Sequence, residues 1–202
     1  MKKLSILFAA IILFAFKTKD SSLTDQERKV ATDLLQQTEQ GVIDAVAGLS
    51  VAQLNFKPAP DRWSVLECVK HIAISEQALW HVADSTIHGA ANPEKRSEIK
   101  ATDEQVVQMV ESREKKVKTI PPFEPQNTPY NSLSDALESF KTNRDKLITY
   151  VKTTDDDLRN HVVTLPPGSF DSYQMILFIG AHSNRHTQQI EEVKSDPNFP
   201  KN

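Results

Sequence analysis

One cysteine and five glycines are all that 202 residues hold of those two types. The lone thiol, Cys68, excludes an intramolecular disulfide, so the fold must hold by packing, with or without a metal. Scarce glycine leaves little material for tight β-hairpins or for loops that cradle phosphate. Neither GxGxxG nor GxxxxGK followed by Ser or Thr occurs, which sets aside the nucleotide-binding folds built on them. Basic charge is short as well. The net charge is −3 with no dense Lys/Arg run, which argues against a nucleic-acid partner. No apolar run reaches the roughly 20 residues that cross a bilayer.

The longest such run, Leu4 to Phe16, spans 13 residues and follows Lys2 and Lys3. A basic start and a short apolar stretch suit an export signal. The expected division is residues 1–19 as export signal or N-terminal anchor and 20–202 as one helical domain. No cysteine follows the run, which excludes a lipid-modified cysteine, and no clean A-x-A precedes Lys17. A tethered, uncleaved signal therefore stays open, and it is the one membrane association expected. The expected location is periplasmic or extracellular.

What is present is helical periodicity. The first segment, about Leu23 to Leu49, aligns Val30, Leu34, Val42, Val46 and Leu49 on a stripe, and Thr24 with Glu27 has the spacing of a capping box. Gly41 lies inside it and makes a bend there an expectation. A second helix starts at Ser64 and runs towards His88. Pro58 and Pro60 hold its approach extended, Ser64 and Glu67 form S-x-x-E, and Trp63 with Cys68 has the spacing of a hydrophobic staple. A third is expected over Thr102–Thr119, a fourth over Leu133–Lys152, and a last from Asp171 or Ser172 to Lys194. Between the third and fourth lie four prolines (Pro121, Pro122, Pro125 and Pro129), which predict a long irregular connection of the kind that often borders a site. The segment 153–171 reads as loop, and no strand is predicted. The fold class is all-α: a four-helix bundle with long connections and one helix, Thr102–Thr119, that is either a bundle member or an addition.

Six histidines occur, and three draw attention. His182 and His186 lie four residues apart, about 40° around a helix axis, so both leave one face and could chelate one ion. Such pairs also arise often by chance, as ordinary polar or core residues. His71 stands two turns beyond the Ser64 cap among Val69, Ile72 and Ala73. A bundle that brought it to the pair would make a three-imidazole site with open positions, an arrangement suited to catalysis. Cys68, three residues before His71, invites a thiolate ligand, but a free cysteine more often behaves as a small buried apolar residue. His81, His88 and His161 have no partner spacing and read as surface or loop residues. Trp63 and Trp80 read as core.

"KPAPDRWSVLECVKHIAISE" and "ILFIGAHSNRHTQQIEEVKSDPNFP", in that order, resemble the DinB-like superfamily of metal-binding four-helix bundles. The likeness lies in a WS…E…H helix start, a late H…RH..QI helix and a P.FP tail, and it extends over about Leu23 to Lys201. It implies that His71, His182 and His186 are metal ligands for one divalent transition ion: zinc, nickel, iron or manganese. Family members include metal-dependent hydrolases and transferases that activate a low-molecular-weight thiol. The resemblance thus implies a small-molecule substrate or thiol, with hydrolysis favoured if the protein is exported; a non-catalytic metal- or ligand-binding module is the competing class. Glu67, Arg185 and Gln189 are the candidates for supporting roles. Glu67 could orient an imidazole or simply cap its helix, and Arg185 and Gln189 could meet substrate or ligand or lie in solvent. Sequence isolates no dimerisation patch, and a homodimer is left open.

Overall fold

The computed structural model describes residues 23–201, so the expected N-terminal signal lies outside the described residues. Four long helices form the body: α1 (Asp25–Val46), α3 (Val65–Ile87), α5 (Leu133–Thr153) and α6 (Ser172–Lys194). Shorter elements fill the connections: α2 (Val51–Asn55), α4 (Asp103–Glu111), and a hairpin of β1 (Val162–Leu165) and β2 (Gly168–Asp171). Thr24, Ser50, Ser64, Thr102 and Ser132 each close a reciprocal capping box with the residue three positions on. Asp171 caps α6 by accepting from the Gln174 amide. Each such cap satisfies N–H groups that a helix start leaves unpaired, and contributes about 1 kcal/mol. The expected starts of the long helices are therefore where the chain places them.

The order of the helices around the bundle is set by packing. α1 lies against α5 and α6, and α3 lies against the same two, so α1 and α3 occupy opposite corners. Arg28 at the start of α1 donates to the carbonyls of Val151 and Thr154 at the end of α5, so those two run antiparallel. Tyr173 at the start of α6 donates to the Glu27 carbonyl, and Lys194 at its end reaches the Ala45 carbonyl, so α1 and α6 are parallel. α3 and α5 are also parallel: Glu76 meets Arg144, and further along both helices Trp80 meets Tyr150. A parallel neighbour can be reached only by returning the length of the bundle. That return is the long connection 88–132, which carries α4 and the prolines. At Gly180 α6 comes close to α1; a Cβ there would sit 2.9 Å from Leu34 Cγ.

The core is apolar except at its middle. Leu35, Val42, Val65, Ile72, Phe140, Leu147, Ile176 and Ile190 are buried. Among them Arg144 is 0% exposed, and its fork is fully used. Nε and Nη2 donate to the Glu76 carboxylate at 2.6 and 2.7 Å. Nη1 donates to the Leu35 carbonyl and Thr38 Oγ1, and Nη2 also to Ser183 Oγ, each at 2.7 Å. Five N–H donors thus meet acceptors from α1, α3 and α6 while the side chain itself comes from α5.

Several expectations are corrected. The buried stripe of α1 keeps the expected Val42 and Val46 and adds Ala31, Leu35, Thr38 and Ala45, whereas Leu34 and Leu49 are half-buried and Val30 is exposed. In the first half of the helix the large side chains of Val30 and Leu34 drew the sequence reading one position off, away from the buried Ala31 and Leu35. Helical bonding continues through Gly41 without a break. The third helix stops at Glu111 rather than Thr119, and it is an addition packed on α6, not a bundle member. Beyond it the charged run 112–118 has nothing apolar to bury, and Val117 is 77% exposed. The segment 153–171 contains the β1–β2 hairpin, with Val162 paired to Asp171 and Leu165 to Gly168. Its turn includes Gly168 at φ 149°, a conformation that L side chains rarely adopt.

Removing one half of the buried pair leaves the other charged and unpaired. Arg144→Ala is expected to destabilise the fold by about 3–5 kcal/mol, read from urea denaturation. The double replacement Arg144→Met with Glu76→Leu should recover most of that loss.

Candidate metal centre

His71 leaves α3 two turns after its cap, and His182 and His186 leave α6 one turn apart. The antiparallel packing of α3 on α6 brings the three rings together. Centroids lie 5.2 Å apart for His71 and His182, 4.4 Å for His71 and His186, and 4.6 Å for His182 and His186. One ligand atom from each falls within 4.8 Å of the others, and no Cys, Asp or Glu joins that cluster among the described residues. His71 and His186 are 4% and 7% exposed, while His182 is less enclosed.

Burial makes these imidazoles poor bases. The His71 pKa is pushed down to about 4 by desolvation, partly offset by its bond to the Phe123 carbonyl. Burial pushes His182 down to about 3, helped by the neighbouring His71, and holds His186 well below the usual histidine range. All three are therefore neutral near pH 7, with lone pairs free, as a metal ligand requires. The donor set fits a borderline divalent transition ion, and it supplies three protein ligands rather than the four of a closed structural site.

Outer hydrogen bonds orient two of the three rings. His71 Nδ1 lies 2.8 Å from the Phe123 carbonyl, which can only accept; the proton is therefore on Nδ1 and Nε2 is free. His186 Nδ1 lies 3.0 Å from Gln189 Oε1. Ser75 Oγ is 3.5 and 3.4 Å from the two nitrogens of His71, nearly equidistant, which places it beside the ring rather than along one lone pair. Trp63 covers His71 at 4.8 Å and His186 at 5.9 Å, and Phe178 stacks on His182 at 6.4 Å. Two aromatic rings thus wall the cluster from water.

The supporting candidates divide. Gln189 bonds a cluster histidine directly. Glu67 does not: one oxygen accepts from the Ser64 amide and the other from Lys57 Nζ, so its carboxylate is spent on the helix start. Arg185 does not face the cluster either. It is buried, and donates to the carbonyls of Val110 at 3.3 Å and Lys115 at 2.7 Å, tying α4 and the chain after it to α6. Cys68 is buried outside the cluster, and burial pushes its thiol pKa far up, which disfavours a thiolate. His81 and His88 are exposed as expected, whereas His161 is buried with Nδ1 on the Thr86 carbonyl at 2.9 Å. Sequence reasoning missed the Phe123 carbonyl, Trp63 as a wall of the cluster, and Arg113. The proline-rich connection was the signal available for the first of these.

Comparison with known proteins agrees with the fold. The sequence profile of the DinB superfamily matches residues 34–190. The uncharacterized protein YuaE of Bacillus subtilis (strain 168) is 26% identical over 150 residues, 73% of this chain and 86% of that one. Among solved structures, YfiT from Bacillus subtilis superposes with a TM-score of 0.60 at 14% identity, covering 89% of this chain and 92% of its own. YfiT is described as "a probable metal-dependent hydrolase with an unusual four-helix bundle topology".

If the cluster holds a metal, His71→Ala, His182→Ala and His186→Ala should each abolish stoichiometric binding. Metal content of the purified variants checks this, with far-UV circular dichroism expected to stay close to that of the parent protein.

Proposed function

The chain belongs to the DinB superfamily, and from that membership and the three clustered imidazoles we propose that it binds one divalent transition metal and hydrolyses a small molecule. The observation that carries this reading is the set of three clustered, neutral imidazoles, two of them buried, with no Cys, Asp or Glu beside them among the described residues. A structural ion would want four; three leave a position for water or substrate. His71, His182 and His186 would hold the ion, with zinc, nickel, iron and manganese all compatible with imidazole donors. When bound, such a metal acts as a Lewis acid and lowers the pKa of a coordinated water or thiol.

The chain's own residues would do the rest. The Phe123 carbonyl and Gln189 hold two rings in place, and Trp63 and Phe178 keep the surroundings dry. The description of YfiT as a metal-dependent hydrolase supports hydrolysis. So does export, which we also propose from the basic and apolar N-terminal segment, since exported proteins meet little cytosolic thiol.

A second reading has one observation in its favour. Among the described residues no carboxylate stands in the cluster to act as general base, and Glu67 is engaged elsewhere. A thiol needs less help than water to become a nucleophile, which favours transfer of a low-molecular-weight thiol.

One set of assays separates the two. Protein as purified, stripped by a chelator, and reloaded with zinc, nickel, iron or manganese should be tested on ester and amide substrates and on thiol acceptors. The proposal expects hydrolysis that disappears on stripping, returns on reloading, and is absent from His182→Ala. Thiol transfer without hydrolysis would establish the second reading instead. A protein that binds metal in full but catalyses neither would point to the non-catalytic class.

A further inference from the structure

The carbonyl that faces His71 settles its tautomer, because a carbonyl has no donor to offer. The partner of His186 is different in kind. A glutamine amide can turn over, presenting either its oxygen or its NH2 to the ring. With the oxygen facing Nδ1, the ring carries its proton there and leaves Nε2 free. With the NH2 facing it, Nδ1 must be the acceptor, and the proton moves to Nε2, the nitrogen otherwise free for a ligand. Something must choose.

Arg113 is placed to do so. It lies just beyond α4, and its Nη1 donates to Gln189 Oε1 at 3.3 Å, the same oxygen that lies 3.0 Å from His186 Nδ1. A guanidinium can only donate. The amide atom between Arg113 and His186 must therefore be the oxygen, and His186 must donate to it from Nδ1. The guanidinium is itself held: Nε and Nη2 form a fork on the Glu192 carboxylate at 3.0 and 2.7 Å. Glu192 stands on the same helix as Gln189 and His186, and its charge is favoured by that bond to Arg113. Arg113 thus clamps two residues of α6 in one orientation.

We propose that Arg113 is a positioning residue that fixes the tautomer of His186 through Gln189 and thereby keeps Nε2 available to a metal. The part concerning metal rests on the three-histidine reading given above; the part concerning the tautomer does not. Both positioning groups, Arg113 and the Phe123 carbonyl, belong to the connection between α4 and α5. That connection therefore completes the site without supplying a ligand.

The test uses the full chain. Nitrogen-15 NMR of the histidine rings in metal-free protein reports which ring nitrogen of His186 carries the proton. The parent protein should show Nδ1–H alone, and Arg113→Ala should show a mixture of the two tautomers. Adding Gln189→Glu to Arg113→Ala should restore Nδ1–H, because a carboxylate presents only acceptors whichever way it turns. Affinity for zinc, from competition with a chromophoric chelator, should follow the same pattern. Arg113→Ala should lower it about tenfold or more, and the double variant should recover it.

A merely structural Arg113 would give a different result, since Gln189→Glu could not replace a lost link to Glu192. An Arg113→Ala protein that keeps pure Nδ1–H overturns the proposal. A shifted tautomer with unchanged zinc affinity overturns its link to the metal. If the parent protein binds none of zinc, nickel, iron and manganese, the three-histidine reading fails while the NMR comparison still decides what Arg113 does.

Discussion

Arg144 is the point on which the four helices agree. Its guanidinium is shut away from water and demands five acceptors; it finds them on Glu76, Leu35, Thr38 and Ser183. A buried ion pair of this kind adds little net stability over a well-packed apolar one, because desolvating both charges offsets much of their attraction. Its consequence is positional. Sliding α1, α3 or α6 by one turn against α5 would leave a charge or a hydrogen-bonding group unpaired in a medium that cannot solvate it. Apolar side chains tolerate such slips far better. The register that places His71 opposite His182 and His186 is therefore held by this neighbour: Ser183 follows His182 in the chain, and Glu76 lies little more than a turn beyond His71.

The topology explains why the site draws on a connection as well as on helices. With α3 and α5 parallel, the intervening chain has to travel back along the bundle. On that return α4 docks on α6, the Lys115 carbonyl receives Arg185, Arg113 clasps Gln189 and Glu192, and the Phe123 carbonyl receives His71. A bundle with short turns would have had no backbone to spare for these roles. The long connection thus exchanges rapid local closure for a second layer of hydrogen bonds around the imidazoles. Aromatic walls complete the enclosure, and desolvation keeps the rings neutral.

Much of this could be read from residues alone, and the reason is locality. A capping box is a pattern of four consecutive residues, so the starts at Thr24 and Ser64 needed no tertiary knowledge. Two histidines four apart share a helix face by geometry, and resemblance to a family added His71. The errors share a cause too. The first half of the stripe on α1 was misplaced, at Val30 and Leu34, because small residues such as Ala31 carry weak signals, while Val42 and Val46 are buried as expected. The extension of α4 to Thr119 followed from periodic valines, but Val117 meets no partner. The β1–β2 hairpin is too short, and too mixed in character, to be read as strands. His161 is the loop residue it was read as, but it is buried, with Nδ1 on the Thr86 carbonyl of α3.

The sequence by itself determined that the chain is a helical bundle, where its helices begin, and which histidines deserved scrutiny, since each depends on residues within a few turns of one another. Tertiary structure alone decided that Arg185 ties the backbone of α4 and the chain after it to α6, and that Arg113, through Gln189, and a main-chain carbonyl orient two of the imidazoles. Those roles join residues tens of positions apart. A hydrogen bond over such a separation leaves no pattern in the chain, because its direction is fixed only when the packed helices bring both ends within 3 Å or so.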